Sequence, residues 1–213
     1  TIVLLNIPNI QQAMSVFVAE ELSEVLNTKV MIGRINIGLL NRIIIDDVLL
    51  DDQSGQEMLK VTRLSAKFDI MPFFKGKISI SSVQLFGFNI NLRKETPDSP
   101  PNFKFVLDAF ASKDTVKKEN SLDLRINSIL IRRGRMSYHV LSEEETPGKF
   151  NAKHIQLQNI IANISLKALS KDSLNLGIKR LSLDEKASGF SLKKMSLKLV
   201  ANNKPVSYTH LRA

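Results

Sequence analysis

The chain has 213 residues, 43% hydrophobic and 24% charged, which is ordinary for a folded protein and argues against disorder. It contains no cysteine, which excludes disulfide frameworks, thiolate catalysis and cysteine-ligated zinc. The formal net charge of +9 would suit nucleic acid, but the chain has no Trp and two Tyr, and most basic residues are predicted on a solvated face of strands. Examples are Lys60, Lys67, Arg125, Lys179, Lys193 and Lys198. We therefore expect no nucleic-acid partner.

Residues 1–28 are predicted to hold the end of a membrane anchor and an amphipathic helix. The segment Thr1–Leu5, with four apolar residues, is far short of the ~20 residues that span a bilayer, and it suits the last turn of a missing anchor, a signal segment or a strand. Helical periodicity then predicts a helix from Ile10 to Leu26, which Asn27 can end in the left-handed conformation. Its apolar stripe consists of Met14, Phe17, Val18, Leu22, Val25 and Leu26.

Residues 29–204 repeat one pattern eight times: apolar, any, apolar, two mostly polar residues, apolar, any, apolar. The copies begin at Val30, Ile43, Leu59, Ile78, Leu124, Ile155, Leu176 and Phe190. Apolar residues two positions apart point to the same face of a strand, whereas the spacing of three in the middle of the pattern would place the second apolar pair on the opposite face. A β-bulge at each polar pair would return all four apolar side chains to one face. The pattern predicts eight or more bent strands that share one apolar face.

Turn signals join neighbouring copies of this pattern. They lie at Gly38–Asn41, around Gly55 in Asp51–Gln56, and at Pro72–Gly76. Since such short turns connect adjacent strands, we expect a long, curled antiparallel meander.

The segment 95–120 interrupts the strand pattern with a loop and a helix. Three prolines lie in Glu95–Asn102, and helical spacing from Phe103 to Phe110 predicts a short second helix that Asn102 can cap. On either side of the interruption, Ile78–Leu92 can be laid over Leu124–Tyr138 at an offset of about 46 residues, which indicates an internal repeat.

The apolar face is too wide for two helices to cover. Eight strands at ~4.8 Å spacing span roughly 38 Å, whereas a helix is only about 10 Å across. The face is therefore closed in a sandwich or barrel, curled into a gutter that holds lipid chains, or covered by a protein partner. The residues predicted on this face are Ile35, Ile37, Ile43, Ile45, Val48, Leu50, Val61, Leu64, Phe68, Ile78, Ile80, Val83, Leu85, Phe88, Ile90, Leu124, Ile126, Ile129, Ile131, Met136, Tyr138, Ile155, Leu157, Ile160 and Ile164.

The last residues, 205–213, are predicted to lie outside the natural fold. Val206–Ala213 corresponds to the translation of a common transposon-type sequencing adapter. We expect the natural chain to continue past Lys204.

A series of short motifs follows a fixed order along the chain. A predicted N-terminal helix ending at Leu26 is followed by Val30–Gly38 and by Ile43–Asp52. The next segments are Ser65–Ile70, Lys75–Ile80, Val83–Leu92 and Pro101–Phe103. This order of motifs resembles the start of the AsmA-like family, and within it the TamB (translocation and assembly module) group.

This resemblance implies an inner-membrane anchor, a periplasmic β-rich body shaped like a groove or taco, and a relation to chorein-type bridge lipid-transfer proteins. The implied role is movement of phospholipid between inner and outer membranes, so the implied partners are phospholipid acyl chains and the inner membrane. The alternative role is a scaffold for outer-membrane protein assembly, which implies a barrel protein of the outer membrane as partner. On the first reading, the apolar residues above form a lipid-binding groove floor.

No residue pattern indicates a catalytic site, and we expect no enzyme activity, no cofactor and no metal. The acidic group around Asp51 and Asp52 lacks the alternating spacing of a calcium loop. His139 and His154 are each expected to stand alone, without zinc-protease spacing, and we interpret them as satisfied edge or surface histidines.

Overall fold

The computed structural model describes residues 8–38, 41–68, 78–111, 122–123, 127–169, 173–202 and 207–212. Within them, the helices are α1 (Pro8–Leu26) and α2 (Lys104–Ala111). The strands are β1 (Val30–Gly38), β2 (Arg42–Asp51), β3 (Glu57–Phe68), β4 (Ile78–Lys94), β5 (Leu122–Asp123), β6 (Ser128–Val140), β7 (His154–Leu169), β8 (Ser173–Glu185), β9 (Ser191–Asn202) and β10 (Ser207–Arg212). The predicted mainly β chain with two helices is confirmed.

The strands form one open sheet in the order β1-β2-β3-β4-β6-β7-β8-β9-β10, with β5 beside β4. Among the described elements, strands contact only their neighbours in this order. The sheet therefore does not close on itself, which removes the closed barrel from the alternatives.

The sheet is mixed, so the expectation of an antiparallel meander is wrong at one place. Strand β6 runs parallel to β4, and the short β5 is also parallel to β4, whereas the other neighbours along the strand order are antiparallel. The chain leaves β4 at Lys94 and enters β6 at Ser128, and the segment that contains α2 returns it to the starting end of β4. Parallel neighbours need such a crossover, which a hairpin cannot supply.

The internal repeat coincides with this parallel pair. Ser82 pairs with Ser128, and Lys94 pairs with Val140, so the offset is 46 residues along the ladder. The Ser137 hydroxyl donates a hydrogen bond of 3.0 Å to the side-chain oxygen of Asn91. Asn91 occupies the position in the first copy that Ser137 occupies in the second. The two copies thus lie side by side and in register.

Helix α1 forms where helical spacing predicts it, and Asn27 ends it with φ of 48°. Its single apolar stripe is not confirmed. The buried residues of α1 are Gln11, Ser15, Ala19 and Leu26, whereas Val16, Phe17 and Val25 are exposed large apolar residues. Small and polar side chains lie in most of the buried positions. The buried Ser15 hydroxyl donates a hydrogen bond of 2.8 Å to the Gln11 carbonyl oxygen, so its burial leaves no unpaired polar group. Within the described part of the chain, neither helix has the length and apolarity that crossing a bilayer would require.

Asn102 links α2 to the sheet instead of capping the helix. Its side-chain oxygen accepts from the backbone N–H of Arg93, and its amide donates to the Asn91 carbonyl oxygen and to Asp52 Oδ2. The predicted helix is present, but the predicted cap is wrong because the amide pairs with groups that are distant in sequence.

The turn at Asp51–Gln56 is confirmed, with Gly55 at φ of 78°, although Asp52 is not a solvated residue of it. Asp52 is 2% exposed and accepts from the backbone N–H groups of Ser54 and Gln56. Burial alone would raise the pKa of Asp52, but hydrogen bonds from Ser54, Asn102 and Gln56 lower it below its usual value. The predicted turn at Pro72–Gly76 lies outside the described residues.

Strand β10 lies in the segment that the sequence predicts to be outside the natural fold. It pairs antiparallel with β9 and forms one end of the strand order.

Glu185 organises the turn between β8 and β9. The buried carboxylate accepts from the backbone N–H groups of Gln156, Ala187 and Ser188, and from the Ser188 hydroxyl at 2.5 Å. Burial alone would raise the pKa of Glu185, but these hydrogen bonds lower it from 4.5 to about 2.

Acid is expected to weaken the fold through Glu185. Because the folded-state pKa lies below the unfolded one, the carboxylate's contribution is complete above about pH 4.5 and is lost as the pH falls towards 2. A shift of this size corresponds to up to about 3 kcal/mol. Urea unfolding at several pH values from 6 to 3 measures the free energy of unfolding of the native chain and of Glu185→Gln. The difference between the two should become smaller as the pH falls. A difference that stays constant over that range would contradict the assignment.

Candidate functional site

The structure places the predicted apolar residues in rows that cross the sheet. Residues directly opposite each other in neighbouring strands point to the same face, so the strand register identifies these rows. The rows are Ile37, Ile43, Ala66, Val83, Ile129 and Ile164; Ile35, Ile45, Leu64, Leu85 and Ile131; Val48, Val61 and Phe88; Leu50, Leu59, Ile90, Met136 and Leu157; and Tyr138 with Ile155. Ile160 lies opposite Gly134.

These rows belong to one face of the sheet. Val61, Phe88 and Ile160 form a buried cluster, and apolar side chains on both sides of it along the strands pack against it. They include Leu59 and Leu64 of β3, which are five residues apart and would point to opposite faces of a regular strand. The predicted return of the apolar side chains to one face is therefore confirmed for these strands.

A line of irregular residues crosses the sheet and produces this change of parity. Positive φ values occur within the strands at Asp47, Gly87, Arg133 and Asn159. Asp47 and Asn159 belong to the polar pairs in the middle of the predicted pattern, and the β3–β4 register shifts at Ser81, which belongs to another such pair. The positive φ values at Gly87 and Arg133 lie outside those pairs. Each of the three ladders between β1 and β4 lacks one backbone pair on this line, and the register is the same on both sides of the gap. The four strands therefore bend at the same place.

The side chains of the apolar face are only partly buried. Of the predicted floor residues whose side chains are described, Ile35, Leu50, Val61, Phe88 and Ile160 are buried, and the rest are half-buried. The side chains of Phe68, Ile78 and Ile80, and all of Leu124 and Ile126, lie outside the described residues.

The helices cover one end of this face. Leu26 at the end of α1 joins Val30, Leu50 and Met58 in a second buried cluster. Apolar residues in and before α2 pack on it, namely Phe103, Phe105, Val106 and Ala109. The cluster around Phe88, by contrast, contains only strand residues. Among the described residues, the middle of the apolar face therefore has no helix over it.

The opposite face is polar and basic. The lysines predicted on a solvated face are exposed wherever they are described, namely Lys60, Lys67, Lys179, Lys193 and Lys198, and Arg125 is not described. A shallow cleft of about 400 Å³ lies between Lys60, Arg133 and Arg135. Arg133 also stacks on the exposed Phe86, with its guanidinium carbon 5.1 Å from the ring centre.

His139 and His154 do not stand alone, contrary to the expectation from sequence. They lie opposite each other in β6 and β7, and their Nδ1 atoms are 3.0 Å apart. No short-range motif marks this pair, because the two residues meet only when the hairpin forms.

A comparison with models of protein families finds no match, and a comparison with curated proteins finds no similar sequence.

Proposed function

We propose that the apolar face is the floor of a groove that holds phospholipid acyl chains, and that the chain takes part in moving phospholipid between two membranes. The observation that carries this proposal is the set of apolar rows, one of them unbroken from β1 to β7, on an open sheet whose middle has no helix over it among the described residues. The resemblance to AsmA-like proteins agrees with it.

Curling of the sheet would turn this face into a groove or taco. Bulges and bends increase the local twist of a sheet, and here the bends lie on one line across neighbouring strands. The half-buried state of the floor residues suits a concave surface that an aliphatic chain can complete.

The dimensions of the face suit acyl chains. A row from β1 to β7 crosses six strands, or roughly 25 Å at ~4.8 Å per step. One leaflet of a bilayer's hydrocarbon core is about 15 Å thick, so one row offers room for more than the length of a chain. Each methylene moved from water to the floor gains about 0.8 kcal/mol, and successive rows offer similar sites. A lipid can therefore slide between rows while its headgroup stays in water.

This function requires no nucleophile, general base or cofactor, and we propose no enzyme activity. We place the protein in the periplasm with an anchor in the inner membrane. The exposed Val16 and Phe17 of α1 support a position close to an apolar surface.

A paired substitution on β6 tests the proposal. Ile129→Asp adds a charge to the floor, whereas Leu130→Asp adds the same charge at the next residue, on the other face. Covering an unpaired charge with an acyl chain costs at least about 2 kcal/mol, so Ile129→Asp should lower phospholipid loading at least tenfold. Leu130→Asp should leave loading unchanged. Native mass spectrometry of gently extracted protein measures bound phospholipid, and circular dichroism checks the fold.

Two results would count against the proposal. Native protein that is consistently free of lipid would remove its basis. Unfolding by Ile129→Asp, with Leu130→Asp remaining folded, would indicate a dry core instead of a groove.

The second candidate function is a scaffold for assembly of outer-membrane proteins. Strand β1 lies at one end of the strand order, and a sheet edge can pair with a strand of another protein. Crosslinking from β1 that captures a β-barrel protein, together with absence of bound lipid, would favour this candidate.

A further inference from the structure

A cluster of metal-binding side chains lies at the end of the β6–β7 hairpin, on residues to which the proposed lipid groove assigns no role. His139 is near the end of β6, His154 begins β7, and Glu145 lies in the loop between them. Their potential ligand atoms all lie within 4.8 Å of one another.

The distances between these atoms match a transition-metal site. The two Nδ1 atoms are 3.0 Å apart, and Glu145 Oε1 is 3.8 Å from that of His139 and 4.0 Å from that of His154. The circle through the corners of this triangle has a radius of about 2.1 Å, so its centre lies about 2.1 Å from each ligand atom, within the range of zinc–nitrogen and zinc–oxygen bonds. In a tetrahedral site with bonds of this length the ligand atoms are ~3.3 Å apart, so the exposed Glu145 would need to move inward by about 0.5 Å, while the two Nδ1 atoms are already close to that spacing.

The hydrogen bonding of His154 directs the lone pair of its Nδ1 towards His139. Its Nε2 is 2.9 Å from the carbonyl oxygen of Glu143, and since a carbonyl only accepts, Nε2 carries the proton. The lone pair at Nδ1 then accepts a hydrogen bond from the Nδ1–H group of His139, and a metal ion takes the place of that proton when His139 carries its own proton on Nε2. Metal-binding histidines are commonly oriented through such a bond from the other ring nitrogen to a backbone carbonyl.

The loop that carries Glu145 is held in place on both sides. Lys153 forms an ion pair of 2.7 Å with Glu143, and the Asn151 amide donates to the Glu144 carbonyl oxygen at 3.1 Å. The backbone N–H of Gly148 donates to the Ala187 carbonyl oxygen. A cavity of about 220 Å³, lined in part by Glu145, His154 and Gln156, leaves space for a water molecule as fourth ligand.

We propose that His139, His154 and Glu145 bind a zinc ion, with water in the fourth position. Two imidazole nitrogens and one carboxylate oxygen suit zinc, whereas calcium and magnesium require mostly oxygen ligands. The ion ties the loop of residues 141–153 to the ends of β6 and β7 and stabilises that end of the hairpin.

Zinc chloride titrated into the full chain, after treatment with a chelator, tests the site. Calorimetry should give one bound zinc per chain, and zinc should raise the melting temperature because it binds only the folded hairpin. Magnesium chloride added in excess should not reduce zinc binding. Absence of heat and of any shift in melting temperature at millimolar zinc would overturn the proposal.

Matched variants separate this site from adventitious binding by other surface groups. His139→Asn should weaken zinc binding at least about a hundredfold, and Glu145→Gln at least about tenfold. Glu144→Gln changes the adjacent exposed carboxylate and should leave zinc binding unchanged. Equal affinity in Glu145→Gln, Glu144→Gln and the native chain, or undiminished binding in His139→Asn, would refute the assignment.

Discussion

Replacement of Asp52 by alanine is expected to lower the free energy of unfolding by about 3–5 kcal/mol. The Asp52 side chain is 2% exposed, and its Oδ2 lies 2.6 Å from a terminal nitrogen of Arg93. Its Oδ1 also accepts from two backbone N–H groups in the turn between β2 and β3. Alanine would leave the Arg93 cation, which is largely buried, without its charge partner and the turn without its acceptor. Urea unfolding at pH 7 measures the loss.

A second ion pair in the same sheet provides the control. Asp46 and Arg63 also approach to 2.6 Å, but the Arg63 side chain is 56% exposed. Its charge is screened by water, so Asp46→Ala should cost less than about 1 kcal/mol. Similar losses for Asp46→Ala and Asp52→Ala would show that burial does not set the value of the Asp52 pair.

The apolar face could be predicted from sequence because strand periodicity is a local property. Ile43 and Ile45 alternate with Ile44, and the step of three from Ile45 to Val48 marks the bend at Asp47. Each strand repeats this information, so the shared face follows without knowledge of which strands are neighbours.

The neighbours themselves could not be predicted in the same way. The parallel pairing of β4 and β6 depends on the path of the chain between Lys94 and Ser128, which no short-range pattern specifies. The 46-residue repeat contained the register of that pair, since equal spacing along two copies is what an in-register parallel ladder requires. The repeat is therefore visible in the sequence, whereas the parallel pairing is visible only in the sheet.

The roles of single polar side chains were the least predictable part. Asn102 precedes a helix and has the type of a cap, yet its partners are Asn91, Arg93 and Asp52. His139 and His154 likewise meet only through the β6–β7 register. Such roles depend on contacts that are distant in sequence, and they become visible only once the register of the sheet is known.

Substitutions at Phe88 and Gly134 are expected to show strong coupling. The Phe88 ring lies over Gly134, where a Cβ atom would meet the end of the ring and would be 3.0 Å from the Cβ of Ile160. Gly134→Ala should cost about 1–3 kcal/mol through overpacking, and Phe88→Ala about 3–5 kcal/mol through the cavity that it leaves. In the double variant the alanine methyl group enters space that the ring has vacated. Its cost should be smaller than the sum of the two single costs by at least about 1 kcal/mol.

Urea unfolding of the two single variants and the double variant gives this coupling energy. Phe88→Ala combined with Gly38→Ala is the control, because Gly38 is in β1, three strands from β4, and about 14 Å separates the two strands. Substitutions that far apart should add within about 0.5 kcal/mol. Additive costs for Phe88 and Gly134 would mean that the ring does not occupy the space over the glycine. Contact with the Phe88 ring would then not be the reason why glycine occupies position 134.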